Sequence, residues 1–187
     1  MLTKAELKTA LHGLWGLARL RPEALTEFDA TLHGFWRPYW LAAMLLPAWI
    51  LMLSAHPSAT PLAHPGSYVT MQGIGYVIGW FAYPLLMTRV VDFLDRGPRY
   101  FTYMVPYNWF GVAQTVVWLT LNMIGDSSGL SPTDAVLLWL FPQTILLCYG
   151  WFIAKHALDI RSSTAAALVA IDFLLSVLID ALASGVG

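Results

Sequence analysis

Cysteine and charge are what this chain has least of. Its one cysteine, Cys148, excludes an internal disulfide and any cysteine-based metal cluster, and its place in an apolar run marks it as a small apolar filler. Only 11% of the residues are charged and the net charge is −1. No basic patch is interleaved with aromatics, so nucleic acid is excluded as a partner. No HExxH motif occurs and no serine and histidine share a depth, which removes metalloprotease and triad chemistry. The histidines, His12, His33, His56, His64 and His156, fall in the N-terminal segment, one loop or a helix end. No pair of them is placed to grip a haem within a membrane. His56 and His64 share a loop, but two ligands alone are too few to define a metal site. No catalytic residue, metal or cofactor is therefore expected, and the chain reads as a non-enzyme.

What it has in abundance is apolar surface. Hydrophobic residues make up 58% of the 187 and the mean hydropathy is +0.62, the composition of an integral membrane protein. A span needs about 20 apolar residues, and five segments qualify: Pro38 to Ala55, Tyr68 to Val90, Tyr100 to Ile124, Ala135 to Ala154 and Thr164 to Ala183. Short turn-rich joints separate them, HPSATPLAHPGS, DRGP, GDSSGLSPTD and LDIRSS, which suits antiparallel neighbours. The expectation is an all-α polytopic membrane protein: cytoplasmic, interfacial amphipathic helices over residues 1–37, then a five-helix transmembrane bundle over 38–187. The first 37 residues show no signal-peptide pattern.

Basic residues orient the bundle. Lys4, Lys8, Arg19, Arg21 and Arg37 precede the first span; Arg89, Arg96 and Arg99 flank the second joint; Lys155 and Arg161 flank the fourth. These are all ten Lys and Arg. The positive-inside rule then puts the N-terminus in the cytoplasm and Gly187 outside, with a bacterial cytoplasmic (inner) membrane as the location.

Before the first span, Thr3 and Glu6 form a capping-box pattern. Leu7, Leu11, Leu14, Trp15 and Ala18 fall on one helical face, which predicts a helix lying on the inner membrane surface. From Pro22 a second helical segment repeats the apolar spacing at Leu25, Phe28, Leu32 and Phe35. The pair either caps the bundle or forms a docking platform for lipid or a partner.

Four spans contain proline, at Pro47, Pro84, Pro106 and Pro142. Each removes a backbone donor, and the carbonyl about four residues earlier must find a partner inside the protein. Gly75 and Gly79 form a small-xxx-small pair that admits a neighbouring helix. Arg89, Asp92 and Arg96 stand at helical offsets suited to ion pairing. Trp36, Tyr39, Trp40, Tyr100 and Tyr103 are expected at the cytoplasmic headgroups, whereas Trp49, Trp80, Trp118 and Trp139 need a packing reason inside the bundle or against another protein.

The remaining signal is polarity at membrane depth. Tyr107, Asn108 and Gln114 lie in the third span, Gln143 in the fourth, and Asp172, Ser176 and Asp180 on one face of the fifth. With a rise of about 1.5 Å per residue, Asn108 lies roughly 13 Å into its span and Asp172 at nearly the same depth in its own. The two helices can therefore meet there. Asp172 is expected to donate a hydrogen bond inward to Tyr107, Asn108 or Gln114, as a structural clasp or as a proton or substrate site. Asp180 is expected to stay hydrated near the outer headgroups.

The five-span layout, the segment RPEALTEFDATLHGFWRPYW and the closing pattern WFIAKHALDIRSSTAAALVAIDFLLSVLI resemble the bacterial Yip1-like five-helix membrane proteins. The resemblance implies a membrane protein without catalysis, acting through partners or lipid, and it transfers no catalytic residue. Three function classes follow. The first is a non-catalytic scaffold or accessory subunit of a larger membrane complex, touching lipids and other membrane subunits, which the nine Trp, eight Tyr and nine Phe favour. The second is a small transporter or proton-coupled channel using an intramembrane carboxylate. The third, a lipid-modifying enzyme, lacks a recognisable nucleophile.

Overall fold

The structure is a computed structural model that describes residues 3–55, 65–127, 129 and 131–184. Helix α1 (Lys4–Ala18) and a 3₁₀ turn (Pro22–Glu27) precede five long helices: α2 (Leu32–Ala55), α3 (Pro65–Phe93), α4 (Tyr100–Ser127), α5 (Pro132–Leu158) and α6 (Ser162–Ser184). The described residues contain no strand. His56, His64 and Gly187 lie outside them.

On length and composition three helices, not five, are apolar enough to cross a membrane, and they lie in α3, α5 and α6. The other two expected spans are helices of similar length diluted by polar and aromatic side chains. Helix α2 carries His33, Arg37 and three tryptophans, and α4 carries Tyr100, Tyr103, Tyr107, Asn108 and Gln114. The polarity of α4 has an inward purpose, because its Tyr103, Met104, Val105 and Asn108 are almost wholly buried.

The five long helices close a ring in the order α2, α3, α6, α5, α4 and back to α2. Consecutive α3 and α4 meet only sparsely, which leaves room along the ring's axis. One end of the ring is filled. Tyr83, Met87, Val91, Tyr103, Met104, Ile153, Ala154, Leu158 and Ala165 form a dense core there, and α1 and the 3₁₀ turn pack onto it through Leu17, Ala24 and Phe28. The basic residues gather at this end. Arg96 donates to the carbonyls of Leu158 at 3.0 Å and Asp159 at 3.3 Å, and Arg99 donates to Ala157 at 3.3 Å and pairs with Asp159 at 3.5 Å. The orphan carbonyls at the C-terminus of α5 thus take guanidinium donors in place of helical ones, where sequence spacing had suggested Asp92 as the partner of Arg96.

The capping box of α1 forms as expected, with the Glu6 amide on the Thr3 hydroxyl at 3.3 Å and the Thr3 amide on the Glu6 carboxylate at 2.9 Å. Its packed face is rotated from the expected one. Ala10, Gly13 and Leu17 are buried, while Leu11 and Trp15 are 56% and 58% exposed. Small residues decide the rotation: a methyl on Gly13 would meet the Phe28 ring at 2.8 Å, and one on Gly16 would meet Ala24 at 2.5 Å. The second predicted helix is a 3₁₀ turn followed by an extended corner at Phe28, and α2 starts only at Leu32. Helix α2 then runs without a break across the 37/38 boundary.

Candidate functional site

The segment Tyr107-Asn108-Trp109 of α4 sits at the meeting point of the fold. Successive residues of an α-helix point about 100° apart, so the three side chains leave in three directions. The Tyr107 hydroxyl donates to Asp172 Oδ1 of α6 at 2.8 Å. Asn108, 1% exposed, reaches the Tyr39 hydroxyl of α2 with a long contact of 3.5 Å. Trp109 turns toward the N-terminal cap and shares a pocket with Ala5, Thr9, Phe28 and Gly34. A short polar triplet thereby ties α6, α2 and α1 to one helix.

Asp172 and α4 meet at the depth the spacing indicates, with a reversed sense. In this contact the Tyr107 phenol donates and the Asp172 carboxylate accepts. Asn108 bonds Tyr39 rather than Asp172, and Gln114 lines the same cavity as Tyr107. Ser176 hydrogen-bonds the carbonyl of Asp172 within its own helix at 3.0 Å. Gln143 is not brought to the site; it lies in an outward-facing depression with Val136, Trp139, Leu140 and Phe173.

Above the Tyr107–Asp172 pair the axis of the ring opens into a cavity of about 310 Å³. Gln72, Tyr107, Asn108, Gln114, Thr115, Asn122, Ser176 and Asp180 give it polar walls, and Trp49, Tyr76, Trp80 and Trp118 give it aromatic ones. Asp180 is exposed where α6 nears its end, on the side away from the basic residues. Two glycines shape the space. A methyl on Gly75 would touch Ala183 at 3.0 Å, so α3 and α6 pack closely there, whereas Gly79 faces no atom within 4 Å and lines the cavity. The expected small-residue contact therefore uses Gly75, and Gly79 makes room.

Below the pair the path is blocked. Tyr83 and Tyr103 share a hydrogen bond of 2.8 Å, and the Tyr83 ring lies 4.9 Å from that of Tyr107. Tyr103, placed by sequence at the headgroups, is instead a core residue at 1% exposure, while Trp36 and Trp40 stay on the outside. Tyr107 thus stands at the floor of the cavity, with Asp172 one hydrogen bond behind it and the Tyr83 and Tyr103 core beyond.

Two tyrosines also hold the proline turns that border the cavity. Pro84 deprives the Trp80 carbonyl of its helical donor, and the Tyr39 hydroxyl donates to it at 3.2 Å. Reciprocally, the Tyr76 hydroxyl of α3 donates to the Ala42 carbonyl of α2 at 2.9 Å, five residues before Pro47. The deep tryptophans find their packing reasons in the same region. Trp49 lies 5.2 Å from Tyr76, Trp80 lies 5.9 Å from Tyr39, and Trp118 stacks on Trp139 at 5.0 Å.

Sequence reasoning missed the aromatic wall, Gln72, Thr115 and the tyrosines at 39, 76 and 83. The signal available for Tyr39 was Pro84, since the Trp80 carbonyl that it frees must find a donor. Compared with protein-family models, curated proteins and solved structures, the chain finds no match in any of the three.

Proposed function

We propose that this is a polytopic membrane protein that binds a small solute in the axial cavity and acts as a small transporter, with Asp172 as its ionisable group. In this reading all five long helices span the bilayer. The basic end with its N-terminal cap faces the cytoplasm of a bacterial cell, and the cavity opens to the outside. One observation carries the proposal: a polar and aromatic cavity inside the ring ends on a half-buried Tyr–Asp pair and is closed beyond it by the Tyr83 and Tyr103 core. A space held open among bundle helices, with convergent polar groups, is the usual form of a small-molecule site, and a carboxylate at membrane depth is a functional group by default. Because the deep tryptophans pack on rings of the same chain, they do not require a partner subunit. The accessory-subunit reading then rests on the resemblance to the Yip1-like layout.

Cysteine labelling tests the proposal. In a Cys148→Ser background, a cysteine replacing Thr115 in the cavity is expected to react with a membrane-impermeant maleimide added outside, and one replacing lipid-facing Val177 to stay unreactive. Thr115→Trp is expected to block labelling of a second cysteine at Ser176. A Thr115→Cys protein inert from both sides would mean the cavity is closed to water, and the accessory-subunit reading would replace this one.

A further inference from the structure

Charge and ring chemistry along the cavity define what it selects. Among the described residues that line it there is no Lys, Arg or His. Among those described residues the one charged side chain is the Asp180 carboxylate, and a second carboxylate, Asp172, lies one hydrogen bond behind Tyr107. An anion would meet no compensating charge at this depth and would bear its full desolvation cost. A cation would find two acids. It would also find π surface, because Trp49, Tyr76 and Trp80 form a continuous ring cluster with centroids 5.2 and 6.3 Å apart along one wall, and Trp118 contributes to another. Indole and phenol rings attract alkylated ammonium groups most when water is excluded. The wider field has the same sign. All ten Lys and Arg belong to the opposite end of the bundle by sequence, while Asp134 and Asp180 lie toward the cavity end, which raises the local concentration of cations at the mouth.

We infer that the cavity takes a small organic cation of the alkylammonium class, its charge toward Asp180 and Tyr107–Asp172 and its alkyl groups against Trp49, Tyr76 and Trp80. The inference rests on the solute-binding reading and narrows it to one ligand chemistry. The amides of Asn108 and Gln114 remain to orient polar groups elsewhere on the ligand.

Titration of intrinsic tryptophan fluorescence in purified, detergent-solubilised full-length protein tests it, at constant ionic strength, with three probes of one shape. These are choline, its uncharged carbon isostere with a tert-butyl group in place of trimethylammonium, and the matching carboxylate. Choline is expected to bind at least about tenfold more tightly than the isostere, the scale of a desolvated cation–π contact with a carboxylate added. Asp180→Asn, at an exposed position, is expected to weaken choline several-fold and leave the isostere unchanged. Equal binding of choline and isostere, or preference for the carboxylate, overturns the cation assignment and leaves the solute site standing. So does absence of choline binding in a protein whose Thr115→Cys variant labels from outside. Absence of binding by all three probes together with an unreactive Thr115→Cys overturns the solute-binding reading itself.

Discussion

The Tyr39 hydroxyl donates to the Trp80 carbonyl, the group that Pro84 leaves without its helical partner. This makes a conditional prediction. Tyr39→Phe is expected to lower stability by about 1 kcal/mol, the scale of one interhelical hydrogen bond, because the carbonyl is left unpaired at membrane depth. In a Pro84→Ala background the new backbone N–H satisfies that carbonyl, and the cost of Tyr39→Phe should largely vanish. Unfolding curves of the four proteins in mixed detergent form the cycle. Equal costs in both backgrounds would show that Tyr39 contributes by ring packing on Phe81 and Trp80 rather than by its hydroxyl.

Asp172 accepts from Tyr107, and an asparagine oxygen at the same place accepts equally. Asp172→Asn is therefore expected to preserve folding and yield, while Asp172→Leu strands the Tyr107 hydroxyl at a cost of about 1 to 2 kcal/mol. In vesicles the two roles separate. An amide releases no proton in the working range, so Asp172→Asn should abolish proton-coupled uptake in a protein that still folds. Uptake undiminished in Asp172→Asn would reduce the pair to a structural clasp.

These particulars indicate which parts of the fold could be read from residues alone. The capping box was legible because Thr3 and Glu6 satisfy a local rule. The Tyr107–Asp172 contact was legible because helical rise fixes depth, and polar groups at equal depth seek each other. Which face of a membrane helix packs inward was not legible. Lipid and protein interior are equally apolar, so the periodicity that reveals the core side of a soluble helix fades, and nothing local distinguished inward Gln114 from outward Gln143. The same limit misplaced Tyr103, whose position near a helix start suggested headgroups while its neighbours Met104 and Val105 lie in the core. In α1, Gly13 and Gly16 rather than the large apolar residues mark the packed face, because close approach of Phe28 and Ala24 needs small side chains.

At the N-terminal cap, Glu6 is held below its ordinary value of 4.5, first by the backbone N–H of Thr3 and further by the Thr3 side chain and the Arg37 guanidinium, which lies 2.8 Å away. A depressed carboxylate contributes its stabilisation above the unfolded value and loses it as pH falls through the lower folded one. The cap should therefore hold at neutral pH and loosen in the acid range below about 4.5. A nitroxide at Lys8→Cys in the Cys148→Ser background should gain mobility over that range. Glu6→Gln should show raised mobility already at neutral pH and a flat acid profile. Unchanged acid loosening in Glu6→Gln would overturn the assignment of the effect to Glu6.

Whether α2 and α4 cross the membrane decides the topology, since composition qualifies only α3, α5 and α6. Geometry favours crossing. At about 1.5 Å per residue, α4 is about 42 Å long and α2 about 36 Å, each longer than the roughly 30 Å hydrocarbon layer. Both also lie within the ring rather than beside it. Helix α4 runs from the basic joint, where Arg99 meets the end of α5, to Gly125, whose neighbour Leu138 belongs to the opposite end of α5. Reporters inserted at Gly97 and at Gly129 are therefore expected on opposite sides, the first active only in the cytoplasm and the second only outside. An N-terminal fusion should behave like Gly97, and an insertion at 60 like Gly129. If α4 did not cross, the Gly97 and Gly129 reporters would report the same side; if α2 did not, the N-terminal fusion and the insertion at 60 would agree. Either result would place part of the cavity wall outside the bilayer and remove the basis for reading Asp172 as a carboxylate at membrane depth.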